Sequence, residues 1–210
     1  MSISKNQLKI ITSLSQKKYR EKHGLFIAEG VKVVKELLQS SLEVFQLFAI
    51  DDYEITNHEN VVTRISEADL KKISKLKSPN KVLGLFKIPD EQQAQQKGLI
   101  LALDEINDPG NLGTIIRLCD WFGIHQLVCS KNTVDAYNQK VVQASMGSLT
   151  RVSIKYLDLA SYLNSAELPT YIADMDGSNV YSSQLPAEAI LVMGNEANGI
   201  SESIREIVQN

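Results

Sequence analysis

Three polar residues in this 210-residue chain stand where loops meet regular elements: Asn111, Arg117 and Glu196. A carboxamide, a guanidinium and a carboxylate can together bind an anion, orient a hydroxyl and stabilise developing negative charge. Arg117 follows the turn signals Asp108, Pro109 and Gly110 within an apparent helix. It lies on the side of Gly113 and Thr114, away from an apolar stripe of Ile115, Leu118, Cys119 and Phe122. Helical side chains lean toward the N-terminus, so Arg117 would reach back to the loop mouth. Two readings stand for it. It is a solvated surface arginine, or part of an anion site completed by free backbone N–H groups. Asn111 reads as the N-cap of the same helix, a role that a catalytic one does not exclude. Glu196 lies in LVMGNEANGIS, at the carboxyl end of a strand, where a buried acid needs a partner. Gly194, two residues earlier, allows close approach of backbone.

The elements that must hold these residues are legible around them. Leu99–Leu103 is short and apolar, the pattern of a strand buried on both faces. The helix from Asn111 closes at Gly123, a C-cap type. Ala189–Met193 repeats the apolar-strand pattern before the Gly194 loop, and Ser201 or Ser203 caps a last helix, Ser203 with Glu206 fitting a capping box. Strands over 126–129 and 171–173 and a helix over 138–149 complete a parallel, doubly wound α/β sheet, with both polar loops at strand carboxyl ends. Neither loop carries a dinucleotide fingerprint or a phosphate-loop lysine. Upstream, helical turns over 6–22, strands over 25–28, 44–50, 61–65 and 82–88, and helices at 31–38 and 66–75 describe a smaller α/β unit. The expected organisation is a domain over 1–90, a polar linker over 91–97 and a second domain over 98–210.

Net charge is −3, but residues 1–24 carry a local +5 through Lys5, Lys9, Lys17, Lys18, Arg20 and Lys22 against Glu21, which leaves −8 on the rest. A second run, Lys71, Lys72, Lys75, Lys77 and Lys81, contains no acid. Each run alone reads as a solvated face; together they suit an anionic polymer. Cys119 and Cys129 occupy apolar positions, as reduced thiols of a cytoplasmic protein do. They lack metal-ligand spacing, and His23, His58 and His125 form no cluster, so no metal is expected. No apolar run reaches membrane-spanning length and the N-terminus lacks a signal-peptide core, so no membrane is expected either.

The pair NxGxxxR (Asn111, Gly113, Arg117) and GNEANGIS (Gly194 to Ser201) resembles two of the three motifs of the SpoU/TrmH-type RNA ribose 2′-O-methyltransferases of the SPOUT superfamily. KIITSLSQKKYREKHGLFIAEGVKVVKELL is similar to that family's substrate-binding domain, which resembles certain RNA-binding ribosomal proteins. The resemblance implies a homodimer with a trefoil-knotted sheet domain, S-adenosylmethionine as cofactor, and ribosomal or transfer RNA as substrate. It implies Asn111, Arg117 and Glu196 as catalytic residues. It implies cofactor contacts at Met193, Gly194, Asn195 and Ile200, and RNA contacts at Lys17, Lys18, Arg20, Lys22, Arg117 and Ser145. Ser145 and Gly147 match an AS-x-GA segment of the family, with Ser148 in place of its alanine. The third motif, which threads the knot and lines the cofactor pocket, has no counterpart before Asn210, and the expectation is a C-terminally incomplete domain.

Methyl transfer to a 2′-hydroxyl needs an aligned methyl donor, removal of the hydroxyl proton and stabilisation of alkoxide charge. Arginines titrate above pH 12, so neutralising one at pH 7 costs roughly 8 kcal/mol. The role expected for Arg117 is therefore that of a cation clamping phosphate and alkoxide, with water or phosphate taking the proton. Two other readings remain: a non-catalytic RNA-binding module, and an unrelated α/β enzyme that binds a phosphorylated ligand at Arg117.

Overall fold

The computed structural model describes residues 3–90 and 97–208. The elements in chain order are α1 (Lys5–Ser13), α2 (Lys17–His23), β1 (Leu25–Glu29), α3 (Val31–Leu38), β2 (Val44–Ala49), β3 (Val62–Arg64), α4 (Glu67–Ile73) and β4 (Val82–Lys87). There follow β5 (Leu99–Leu103), α5 (Pro109–Trp121), β6 (Gln126–Ser130), α6 (Gln139–Ser145), β7 (Ser153–Leu157), α7 (Leu159–Asn164), β8 (Thr170–Ile172), β9 (Ala189–Met193) and α8 (Glu202–Arg205). The expected linker falls almost wholly on 91–96, outside the described residues.

The chain divides into two compact units. Residues 3–90 and 135–150 form one, and residues 97–134 and 151–208 the other.

The first unit is a four-stranded sheet in the order β1-β4-β2-β3. β4 is antiparallel to both its neighbours, while β2 and β3 are parallel. Alternation along β1 sends Leu25 and Ile27 into one core with Ile11, Leu14, Leu70 and Ile73, and Phe26 to the opposite face against Phe86 and Tyr137. Residues 135–150, expected within the second domain, pack here because they satisfy buried groups of this sheet. Arg20 is only 3% exposed, and its guanidinium donates to the Asp135 carboxylate and, at 2.8 Å, to the Leu14 carbonyl. Breaking a buried pair of this kind strands a charge and costs about 3–5 kcal/mol. Glu29, also 3% exposed, accepts hydrogen bonds from Gln139 Nε2, Ser74 Oγ and the Lys75 N–H. The helix expected over 138–149 ends at Ser145, because Met146 and Gly147 both take positive φ.

The second unit is a five-stranded sheet, every neighbouring pair parallel, in the order β7-β6-β5-β9-β8. Ile100, Ala102, Val128, Ile190 and Val192 pack against Leu159, Leu163 and Ile204 from α7 and α8. Leu112, Ile116 and Cys119 of α5 are buried on the other helical layer, so the sheet is doubly wound. β7 and α7 have no counterpart in the sequence-based reading. β7 is an edge strand with Lys155 at its centre, and it lacks the apolar run that marks β5 and β9. No described helix is long and apolar enough to cross a membrane.

Candidate active site

Both polar loops sit at carboxyl ends of adjacent parallel strands, β5 and β9. After β5 the backbone is held from three sides. The Asp104 N–H donates to the Met193 carbonyl at 2.9 Å, the Glu105 N–H to Ser130 Oγ at 2.9 Å, and the Glu105 carbonyl accepts from Asn195 Nδ2 at 2.7 Å. Glu105 itself takes a left-handed φ of 57°. Asp108, not Asn111, is the N-cap of α5: its carboxylate accepts from the Asn111 N–H at 2.9 Å, and Pro109 fills the first helical position. Asn111 is thereby freed from capping, and its side-chain amide donates to the Glu196 carboxylate.

The loop after β9 is a tight backbone hairpin. Asn195 and Gly199 exchange both N–H···O bonds at 2.8 Å, and Asn195 Oδ1 accepts from the N–H groups of Ala197 and Asn198. A Cβ on Gly194 would stand 2.3 Å from the Gly199 carbonyl carbon and 2.5 Å from the Ile200 nitrogen, so only glycine permits this crossing. Glu196 is exposed rather than buried; the buried acid is Asp104, 4% exposed, whose carboxylate accepts from the Ser201 N–H at 2.8 Å. Ser201 caps α8, and the expected Ser203–Glu206 box does not form because Ser203 already lies inside that helix. Arg205 donates to the Ile200 carbonyl at 3.2 Å and pairs with Asp174. The guanidinium holds the Asp174 carboxyl below the usual carboxylate range, and Asp174 in turn raises Arg205. Asp104, Asp174 and Arg205 were missed from sequence, although Asp104 sits in the readable place directly after an apolar strand.

Arg117 is exposed on α5 and makes no ion pair or hydrogen bond among the described residues. Of the stripe expected to be buried, Cys119 is buried and Ile115 half-buried, while Leu118 and Phe122 turn outward, since Leu112 and Ile116 take the core beside Cys119. Leu118 is 50%, Trp121 84% and Phe122 70% exposed. Met193 is partly exposed and Ile200 buried beneath the loop. Burial pushes the Cys119 thiol up to about 11 and raises that of Cys129 further. No group of metal-ligating side chains occurs among the described residues.

Of the expected RNA-facing residues, Lys17, Lys18 and Lys22 are exposed on α2 in the first unit. Arg20 and Ser145 are not available in this way. Arg20 is spent on Asp135 and Leu14, and Ser145 is fully buried with its hydroxyl donating to the Val142 carbonyl.

Residues 98–210 match the SpoU rRNA methylase family, and residues 5–84 match the MRM3-like substrate binding domain. The 23S rRNA (guanosine(2553)-2′-O)-methyltransferase RlmP of Bacillus subtilis is 28% identical over 97% of this chain and 85% of its own length. A solved TrmH-family structure from Porphyromonas gingivalis is 36% identical and superimposes with a TM-score of 0.90, covering 99% of this chain and 87% of that one. An AdoMet-bound rRNA methyltransferase from Sinorhizobium meliloti is 26% identical with a TM-score of 0.84, covering 99% and 85%.

Proposed function

The chain belongs to the SpoU rRNA methylase family, and we propose that it transfers a methyl group from S-adenosylmethionine to a ribose 2′-hydroxyl of ribosomal RNA. The observation that carries this reading is the Asn111–Glu196 hydrogen bond, which joins the loops after β5 and β9 at the carboxyl edge of the sheet, where such folds bind ligands.

The β9–α8 loop fits the cofactor by its donor set. It offers main-chain polar groups of residues 193–200, the exposed Met193 side chain, and one carboxylate that is already engaged by Asn111. Gly194, Asn195 and Ile200 would hold the cofactor together with Met193, and when bound it supplies an electrophilic methyl. Asn111, fixed by Glu196, orients the ribose hydroxyl. Arg117, which pairs with no carboxylate among the described residues, clamps the adjoining phosphate and stabilises the alkoxide that forms as the proton leaves to water or phosphate. The exposed ammonium groups of Lys17, Lys18 and Lys22 bind the RNA backbone through charge alone.

A second copy of the chain covers α5. Leu118 and Trp121 lie on the stripe that also holds Thr114 and Arg117, and leaving side chains of this size in water forgoes about 1.5–3 kcal/mol each. The two buried free thiols suit a reducing compartment such as the cytoplasm.

The test is transfer of radiolabelled methyl from S-adenosylmethionine to a ribosomal RNA transcript, followed by alkaline hydrolysis. Label in an alkali-resistant dinucleotide supports the reading, because a methylated 2′-oxygen cannot attack the phosphate. Label recovered on a mononucleotide, or none, sinks it.

A further inference from the structure

Lysines of the second basic run fall in and beside the loop 74–81, which connects α4 to β4 and is pinned at both ends. At its start, the Glu29 carboxylate receives Ser74 Oγ and the Lys75 N–H, the latter at 2.9 Å. At its end, the Lys81 carbonyl accepts from the Ile50 N–H at 3.0 Å, and Lys81 Nζ meets Asp52 at 2.9 Å. Between these anchors Lys75 and Lys77 are exposed, as is Lys71 on the last turn of α4, and their ammonium groups have no partner among the described residues. Lys72 and Lys81 are paired with Asp69 and Asp52, so the free cations are three of the five.

β1 fixes where this loop lies relative to α2. α2 leads through Gly24 into the amino end of β1, whereas Ser74 and Lys75 attach to Glu29 at its carboxyl end. The antiparallel register agrees, pairing Glu29 with Leu83 at the start of β4 and Leu25 with Lys87 at its end. Five residues of strand put these anchoring points about 13 Å apart. The attachment points of α2 and of this loop therefore lie at opposite ends of one strand.

We propose that the loop 74–81 is a second phosphate-binding surface for RNA, separate from α2, with buried Glu29 as the residue that sets its shape. Lysine ammonium groups act as point charges without the planar fork that reads a base edge, so this surface contributes affinity and register, and no sequence choice. A loop held before binding also loses little conformational freedom on binding. The proposal rests on the RNA-methylating reading, and its test separates the two.

The experiment measures binding of a fluorescein-labelled ribosomal RNA transcript to the full chain at several salt concentrations, with S-adenosylmethionine affinity as a check on the rest of the protein. The double variant Lys75→Glu, Lys77→Glu is expected to weaken RNA binding at least tenfold and to reduce the salt slope by about 1.5–2, with cofactor affinity unchanged. Glu29→Gln is expected to weaken RNA binding severalfold while all the lysines remain. If the Lys75, Lys77 variant keeps the wild-type affinity and slope while Lys17→Glu, Lys18→Glu loses both, the loop surface is refuted and the RNA reading stands. If both pairs are silent, RNA binding by this unit fails, and the proposal with it. If the Lys75, Lys77 variant loses RNA affinity and Glu29→Gln does not, the shaping role of Glu29 is refuted.

Discussion

The side-chain amide of Asn111 donates to the carboxylate of Glu196, so the first turn of α5 is tied to the loop that follows β9. Hydrogen bonds to a charged partner contribute about 1.5–3 kcal/mol. Glu196→Ala frees the amide to rotate and should lower kcat/KM by about tenfold to a hundredfold, with Glu196→Gln intermediate because its oxygen still accepts. A steady-state comparison of the three proteins decides it; equal kcat/KM would leave the bond without a catalytic role.

Arg117 should behave as a cation with a fork. Arg117→Ala is expected to lose about 100- to 1,000-fold in kcat, the usual cost of removing a charge-stabilising donor, with S-adenosylmethionine affinity unchanged. Arg117→Lys keeps the charge but not the two-pronged geometry and should recover only a small part. Near-normal turnover of the lysine variant would rule out any need for the guanidinium.

Gly194→Ala drives a methyl group into the Gly199–Ile200 backbone, where nothing flexible can yield. The loop must open, and calorimetry should show cofactor affinity falling at least tenfold. Ile200 belongs to the apolar core that packs the sheet against α8, so the thermal midpoint should fall as well.

Arg205 and Asp174 predict an acid dependence. The Asp174 pKa is depressed in the folded chain by the Arg205 guanidinium, so its contribution is present above the unfolded carboxylate value of 3.8 and is lost as pH falls through the lower folded value. Acid unfolding of the wild type and of Arg205→Met should differ above about pH 4 and converge below it. Curves that stay parallel to the lowest pH would exclude the pair as the cause. The variant should also raise the Kd for S-adenosylmethionine more than it lowers kcat, since Arg205 braces Ile200 and touches no reacting atom.

Trp121→Glu places a charge on the exposed face of α5. Sedimentation should show a dimer for the wild type and a monomer for the variant at the same concentration. A monomeric wild type would remove the second copy from the reading.

What the sequence made legible follows from where the forces are local. Leu99–Leu103 and Ala189–Met193 were readable because a five-residue apolar run between polar loops has few uses other than a buried strand. The motif residues around them were readable because each lies directly at a strand's carboxyl end. The buried face of α5 was not, since Leu118, Trp121 and Phe122 are as apolar as Leu112 and Ile116, and periodicity cannot say which stripe meets the sheet. The helix start was misplaced by three residues because Asp108 and Pro109 outcompete Asn111 as cap and first residue. The partition of 135–150 into the first unit depends on Arg20 meeting Asp135 and Glu29 meeting Gln139, contacts 115 and 110 residues apart that leave no local pattern.

Arg117 shares its stripe with Leu118 and Trp121, and this has a kinetic corollary. A guanidinium surrounded by bulk water is screened and hydrated, and its hold on an alkoxide is weak. Packing a second chain over Leu118 and Trp121 would strip water from the same neighbourhood. Specific activity should then climb with enzyme concentration until every α5 is covered, so that dilution alone switches the catalyst off without unfolding it.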